Sequence, residues 1–209
     1  MKKHRIFVSG VQKELGTERI AVKKLVQENI LLKEHFTVFL FEDHPAQSKP
    51  AAKIYLDEVS KSDIYLGIFG YKYGEKINNN ISATELEFRT AQKQNKEILI
   101  YLKGNYDNQR EKYLIKLINN IKSAHSGYKY KRFNNISDLQ NNIFNSLVAF
   151  LQERNIINRH PFDMSVCEDA TFKDIDEETV KWFLGKAKIT RNYPLDETTP
   201  VQDAIIHLN

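Results

Sequence analysis

Short apolar runs alternate with helical patterns along residues 1–155. The runs are rich in Ile, Val, Phe and Tyr and are too short for helices, so they predict buried strands. Between them, apolar residues recur at the three- and four-residue spacing of helices that bury one face. The predicted strands are 5–10, 37–42, 63–70, 97–103 and 128–133, and the predicted helices are 11–29, 51–62, 82–95, 109–123 and 136–155.

This alternation of strand and helix predicts an α/β domain over residues 1–155. Parallel strands joined by right-handed helical crossovers form a doubly wound, flavodoxin-like sheet, here with five strands and helices on both faces. Ligands bind to such sheets beyond the carboxyl ends of the strands. The segments in which to seek a site therefore follow the strands, at 9–11, 42–48, 67–74 and 103–105.

Composition and charge narrow the class of protein. The 209 residues carry a net charge of +4, and the lysines are spread along the chain rather than massed in one block. The longest apolar runs fall short of the roughly 18–20 residues that a membrane span needs, so we expect a cytoplasmic protein without membrane contact. Cys167 is the single cysteine, which excludes an internal disulfide and any multi-cysteine metal site. We predict no metal site and an inert Cys167.

One basic stretch alternates with aromatic residues, "GYKYKRF" at 127–133. Such a pattern is typical either of a surface for nucleic acid or of a strand with one face in water. The alternation matches the half-buried strand better, and a nucleic-acid-binding regulator remains an alternative function.

The first two strand ends carry polar candidates. Ser9 and Gly10 offer a hydroxyl and open backbone N–H groups at a helix N-terminus, where anions bind. An ordinary helix cap is the alternative explanation, and neither a GxGxxG nor a P-loop motif is present. Glu42 and His44 stand in the loop after the second strand, where they can line a pocket.

The third strand end is a glycine- and tyrosine-rich loop, "GIFGYKYG" at 67–74. Gly70 and Gly74 allow the backbone to approach a ligand closely, and Tyr71 and Tyr73 can stack on a base. Glycine turns also occur without any ligand.

Two glutamates open the helix at 82–95. Thr84 or Ser82 can cap this helix, and Glu85 can complete a capping box with Ser82. Glu87 lies a turn deeper, where capping does not explain it. A carboxylate over the crevice of the sheet can stabilise an oxocarbenium-like centre or bind ribose hydroxyls.

Three ordered segments resemble the domain-of-unknown-function family DUF4062 over residues 4–104. They are "RIFVSGVQKELGTERIAV", "FEDHPAQSKPAAKIYLDEVSKSDIYLGIFGYKYG" and "SATELEF". Residues 7–10 match the family's "FISS" with a glycine in the second serine's place. Its "ER" pair matches Glu18 and Arg19, and its "SDIYIGILGxxYG" matches residues 62–74.

The family in turn resembles TIR domains and nucleoside deoxyribosyltransferases, in which a catalytic glutamate precedes an alanine by four residues. That resemblance implies Glu87, followed by Ala91, as the catalytic residue and Glu85 as the second choice. It likens Asp63 to the aspartate that opens a strand in those groups. The implied chemistry is cleavage or transfer at the N-glycosidic bond of a nucleotide such as NAD. The ligand-binding candidates are Ser9, Gly10, Arg19, Glu42, Asp63, Gly70, Tyr71, Tyr73 and Gly74.

Residues 156–209 are expected to form a separate, mostly helical connector. Their pattern resembles the connector of bacterial RecG-like transcriptional regulators, which leads towards an ATP-binding domain. By this resemblance the chain carries the truncated start of a further domain.

Two functions from different classes follow. The broader one is a dimeric TIR-like signalling or sensor module of a larger bacterial ATP-binding regulatory or defence protein, with a nucleotide bound at the carboxyl edge of the sheet. The alternative is a nucleotide N-glycosidase or ribosyltransferase that uses Glu87 on NAD or a deoxynucleoside. Neither requires a cofactor in this chain, since the nucleotide is the substrate or ligand.

Overall fold

The computed structural model describes residues 3–43, 45, 48, 50–77, 81–123 and 127–157. Met1–Arg154 cluster into one compact unit. Three predictions fall outside the described residues: the site role of His44, the inertness of Cys167 and nearly all of the predicted connector. The division of the chain into 1–155 and 156–209 stays a prediction.

The described part of the chain contains five strands and six α-helices, with at least one α-helix after each strand. The strands are β1 His4–Ser9, β2 Phe36–Phe39, β3 Ile64–Phe69, β4 Glu97–Lys103 and β5 Tyr130–Phe133. The helices are α1 Gln12–Glu28, α2 Ile30–His35, α3 Ala51–Lys61, α4 Ala83–Lys93, α5 Lys112–Ile121 and α6 Ile136–Glu153, with a short 3-10 helix at Phe41–Asp43.

The strands form one parallel sheet in the order β2-β1-β3-β4-β5. This is the flavodoxin-like order, so the predicted doubly wound α/β fold is confirmed. The chain leaves β1 towards β2 on one side and later returns to β3 on the other. The switch point lies beyond the carboxyl ends of β1 and β3, the place where ligands bind in such sheets.

Both faces of the sheet are buried, which is why the strands read as continuous apolar runs. One face carries an aromatic-rich core that joins the sheet to α3, α4 and α5, including Phe7, Tyr65 and Phe88. Residues that alternate with these in β1 and β3, such as Ile6 and Leu66, are fully buried on the opposite face. α1 and α6 pack against each other, as do α3 and α4.

The sequence did not predict α2. Asn29 ends α1 in an extended conformation, and its side chain then accepts a hydrogen bond from the Leu32 N–H at 3.0 Å. The same residue therefore stops one helix and caps the next.

None of the helices in the described residues has the length and apolar character that crossing a membrane would require.

Candidate functional site at the carboxyl edge of the sheet

The buried carboxylate of Glu87 is the centre of the candidate site. It projects from the second turn of α4, and only 8% of the residue is exposed. Ser9, the last residue of β1, is fully buried and donates its hydroxyl proton to Glu87 Oε2 at 2.5 Å. Among the described residues, no cation lies within ion-pair distance of this carboxylate. This bond brings Ser9 and Glu87 together at the carboxyl edge of the sheet, and their roles in a ligand site stay predictions.

Burial sets the protonation of Glu87. Loss of water raises the pKa of its carboxyl group from the ordinary 4.5 to about 7. The hydrogen bond from Ser9 and the positive charge of Arg19 oppose this rise, whereas the negative charge of Glu42 adds to it. A carboxyl group with a pKa near neutrality is uncommon, and such shifted groups cluster at functional sites.

Arg19 and Glu42 form an ion pair with two hydrogen bonds, called the fork below, beside the carboxylate of Glu87. Arg19 Nε and Nη2 donate to the two Glu42 oxygens at 2.6 and 2.7 Å, and Nη1 donates to the Gly10 carbonyl oxygen at 3.0 Å. Burial raises the pKa of Glu42, but the hydrogen bonds and charge of Arg19 outweigh it, so that the pKa is lowered overall. The fork fastens the short 3-10 helix to the end of β1.

Gly10 turns the chain sharply between β1 and α1. A Cβ atom at this position would lie 2.8 Å from the Ile68 carbonyl oxygen, closer than real side chains come. The loop that leaves Ser9 must therefore contain glycine, which keeps the backbone pressed against β3.

Glu85, the second-choice catalytic residue, is bound within the protein. Its N–H donates to Ser82 Oγ at 3.2 Å, so the predicted cap is confirmed. The carboxylate accepts the Tyr73 hydroxyl and the Arg89 guanidinium, both at 2.5 Å. In a capping box the glutamate side chain itself accepts the N–H of the capping residue. Here the Tyr73 hydroxyl oxygen accepts the Ser82 N–H at 3.2 Å and links it to Glu85. Glu85 thus holds the start of α4 in place.

The loop after β3 is held by acids rather than left open. Glu14 accepts the N–H groups of Tyr71 and Lys72 at 2.6 and 3.0 Å, and its carboxylate fills the space beside Gly70. The Tyr71 ring lies under the Arg110 guanidinium, with 5.3 Å between them. Tyr71 and Gly70 therefore help to build the loop, and a stacking role for the tyrosine stays a prediction.

The end of this loop has its own constraint. Gly74 adopts a φ of 91°, a conformation that favours glycine, and a Cβ atom there would lie 3.2 Å from Val11. Tyr73, which is 4% exposed, packs at 5.6 Å from the ring of Tyr113.

Asp63 is not brought together with the other candidates. It immediately precedes β3 and so lies at the amino edge of the sheet, opposite the switch point. Its Oδ2 accepts the Arg5 N–H at 2.8 Å, and its carbonyl oxygen accepts the Glu97 N–H at 3.3 Å. These bonds fix the entry of β3 between its two neighbouring strands.

Two tyrosines near Glu87 were not among the site residues predicted from the sequence. Tyr65 on β3 and Tyr55 on α3 both lie close enough for the charge of Glu87 to raise the pKa of their hydroxyls further, after burial as the main cause. The only sequence signal for Tyr65 is Gly67 two residues later. That glycine has no side chain where the Tyr65 ring lies, and an added Cβ would approach the ring to 2.9 Å.

The fold and this edge define an α/β protein of flavodoxin-like topology with a buried acid at its switch point. Residues 5–148 match the family model described as "Domain of unknown function (DUF4062)". The chain belongs to this family, and the match extends beyond the residues 4–104 that suggested it.

Solved structures that are similar to this chain include an N-glycosidase and a flavodoxin. The CMP N-glycosidase BcmB of Clostridium botulinum is 17% identical, with a TM-score of 0.43 over 68% of this chain and 98% of that one. Oxidised flavodoxin 1 of Bacillus cereus is 11% identical, with a TM-score of 0.36 over 70% of this chain and 95% of that one. No curated protein matches the chain in sequence. Neither structural likeness assigns a role to a residue of this chain.

Proposed function

We propose that the edge of the sheet beyond β1 and β3 binds a nucleotide and that Glu87 acts on its N-glycosidic bond. The observation that carries this proposal is a carboxylate buried at the switch point, held by one neutral donor, Ser9, at 2.5 Å. The other buried glutamates among the described residues, Glu18, Glu58 and Glu85, are each paired with a cation: Lys103, Arg5 and Arg89. Glu87 has no such partner among the described residues.

The chemistry needs the ionised form of Glu87. As the base departs with the electron pair of the glycosidic bond, positive charge develops on the sugar at C1′ and its ring oxygen. The carboxylate either bonds to C1′ or stabilises this charge until water attacks there. A pKa of about 7 means that the reactive form becomes dominant just above neutral pH. We therefore expect the rate of base release to rise with pH and to level off above about pH 8.

Arg19 supports the same role without touching the carboxylate. Its charge favours the ionised form of Glu87, while its fork with Glu42 keeps the guanidinium from forming a direct ion pair there. An acid with a direct ion pair would be a weaker nucleophile and a poorer partner for a developing cation.

The experiment is a base-release assay on the full chain. NAD, deoxynucleosides and nucleoside monophosphates are each incubated with the protein, and free base is measured by chromatography. Glu87→Gln keeps the size and polarity of the side chain but removes its charge, so it should lower turnover at least 100-fold. Glu28→Gln makes the same chemical change on the exposed face of α1 and should leave turnover unchanged.

The outcomes separate the two functions. Base release that survives in Glu87→Gln would refute the assigned role of Glu87. Nucleotide binding without release would support the broader proposal, a TIR-like sensor module that passes its ligand state to a partner. That module is proposed to be a dimer, which sedimentation with and without nucleotide measures. Neither binding nor release with any of the nucleotides would contradict both.

A further inference from the structure

Tyr65 places a buried hydroxyl beside the pair formed by Ser9 and Glu87. The residue is 1% exposed, and its hydroxyl oxygen is fully buried without a hydrogen-bond partner among the described residues. It lies next to the Ser9 hydroxyl without meeting the geometry of a hydrogen bond. A buried donor left unbonded is unfavourable, and such groups are few in native proteins.

Strand register brings this hydroxyl to Ser9. β1 and β3 pair with Phe7 opposite Tyr65 and Ser9 opposite Gly67. The Tyr65 ring lies over Gly67, which offers no side chain to block it. The phenol therefore extends along β3 by two residues and arrives next to Ser9 in the neighbouring strand. Phe7 and Phe88 hold the ring, with centroids 6.3 and 6.1 Å away.

The direction of the protons follows from what each group can donate. Ser9 gives its one proton to Glu87 and keeps lone pairs that can accept the Tyr65 proton. The chain then runs from Tyr65 through Ser9 to the carboxylate, and each bond polarises the next. When Glu87 is protonated, its oxygens carry no charge, so the bond to Ser9 and the bond from Tyr65 that it polarises both become weaker. The chain of hydrogen bonds is therefore strongest with ionised Glu87.

We propose that Tyr65 is a positioning residue that favours the ionised form of Glu87 through Ser9. The inference rests on the proposed function only in taking Glu87 as the reactive group. The other groups that face Glu87 are Arg19 from α1, Glu42 from the 3-10 helix and Tyr55 from α3. The hydrogen bonds of Arg19 go to Glu42 and to the Gly10 carbonyl oxygen rather than to the Ser9 hydroxyl, so the effect of Tyr65 can be separated from theirs by changing Ser9.

The test is the titration of the Glu87 side-chain carboxyl, followed by carbon-13 NMR in the full chain and assigned with Glu87→Gln. Tyr65→Phe removes one oxygen and keeps the ring. It should raise the midpoint by about half a unit to one pH unit, an approximately three- to tenfold fall in the ratio of ionised to protonated Glu87. Tyr101→Phe is the matched control, since Tyr101 is also 1% exposed with an unbonded hydroxyl but lies on β4, near Ser146.

A double-mutant cycle shows whether the effect passes through Ser9. Ser9→Ala should raise the midpoint by itself and make a further Tyr65→Phe change silent. An unchanged or lowered midpoint in Tyr65→Phe would overturn the proposal, as would an equal shift with and without Ser9. In the unsubstituted protein, the carbon-13 signal of the Tyr65 Cζ should follow the Glu87 midpoint, and a signal that ignores it would also overturn the proposal.

These measurements need no substrate. If the midpoint shifts as expected while no nucleotide is turned over, the proposed function fails and the proposed role of Tyr65 stands. If turnover depends on Glu87 but Tyr65→Phe leaves both the midpoint and the pH profile of the rate unchanged, only the proposed role of Tyr65 fails.

Discussion

Replacing Glu87 by glutamine should stabilise the protein at high pH and far less at low pH. The folded state holds the Glu87 pKa at about 7, against an ordinary value of 4.5 for an unfolded chain. A group whose folded pKa is raised contributes its full stability below the unfolded pKa and loses it as pH rises through the folded pKa. The loss of stability therefore develops between about pH 4.5 and pH 7, where the unfolded chain ionises at this position and the folded protein does not. Glutamine cannot ionise in either state, so the variant avoids this loss.

The magnitude follows from the size of the shift. At about 1.4 kcal/mol for each pH unit, moving the pKa from 4.5 to about 7 corresponds to about 3 kcal/mol once both states are ionised. Only about 1 kcal/mol of this applies at pH 5, where Glu87 is protonated in the folded state and partly ionised in the unfolded chain. The stability difference between Glu87→Gln and the parent protein should thus grow by about 2 kcal/mol from pH 5 to pH 8.

Urea unfolding at pH 5 and at pH 8 measures this change. The single tryptophan, Trp182, lies outside the described residues, so far-UV circular dichroism is the better probe. A gain of about 2 kcal/mol moves the urea midpoint by roughly 1 M. Any pH-independent effect of the substitution cancels between the two conditions, and Glu28→Gln controls for the general loss of a carboxylate. A stability difference that is the same at both pH values would refute the argument that Glu87 is a buried, unpaired acid.

Two further changes test how the site is supported. Gly67→Ala should destabilise the protein by about 1–3 kcal/mol in urea unfolding, because the new Cβ would lie 2.9 Å from the Tyr65 and Phe69 rings. Gly16→Ala, in α1 with nothing within 4 Å, should instead stabilise by about 0.5–1 kcal/mol, and equal effects of the two would contradict the close approach at Gly67. Asp107→Asn should destabilise by about 3 kcal/mol at pH 7, because the carboxylate binds three cations and one of them, Arg110, has a fully buried side chain. Burial raises the pKa of Asp107, but these cations hold it well below its usual range. The stabilising contribution of Asp107 is therefore present above about pH 4 and is lost as pH falls through the folded pKa. If Asp107→Asn destabilised the protein equally in acid and at pH 7, the stabilising role of the ionised carboxylate would be contradicted.

The sequence predicted the layers of the fold because each strand is buried on both faces. Four of the predicted strands agree with the structure to within two residues at each end. The second strand was predicted to reach residue 42 but ends at Phe39. Its apolar pattern continues through Leu40 and Phe41, while the chain itself turns into the 3-10 helix that delivers Glu42 to Arg19. That turn depends on a tertiary ion pair, which periodicity cannot show.

Only part of the candidate site could be predicted from the sequence. The pairing of Glu85 with Arg89 is visible in the sequence, since residues four apart are neighbours on a helix. The bond between Ser9 and Glu87 joins residues 78 positions apart and required the sheet to be assembled first. The place of Tyr65 depends on the register of β1 against β3, which no local pattern encodes.

The central claim is that a nucleotide binds at the edge where Ser9 and Glu87 meet. The most direct measurement is an NMR titration of the nitrogen-15-labelled full chain with NAD at pH 8, where Glu87 is ionised. If the nucleotide binds at this edge, we expect the largest saturable chemical-shift changes at the amides of Ser9, Gly10 and Glu87. The groove of about 530 Å³ between β4 and α6, lined by Tyr101 and Asn142, should stay unaffected. Shifts confined to that groove, or none at millimolar concentrations of NAD, of deoxynucleosides and of nucleoside monophosphates in turn, would contradict this claim.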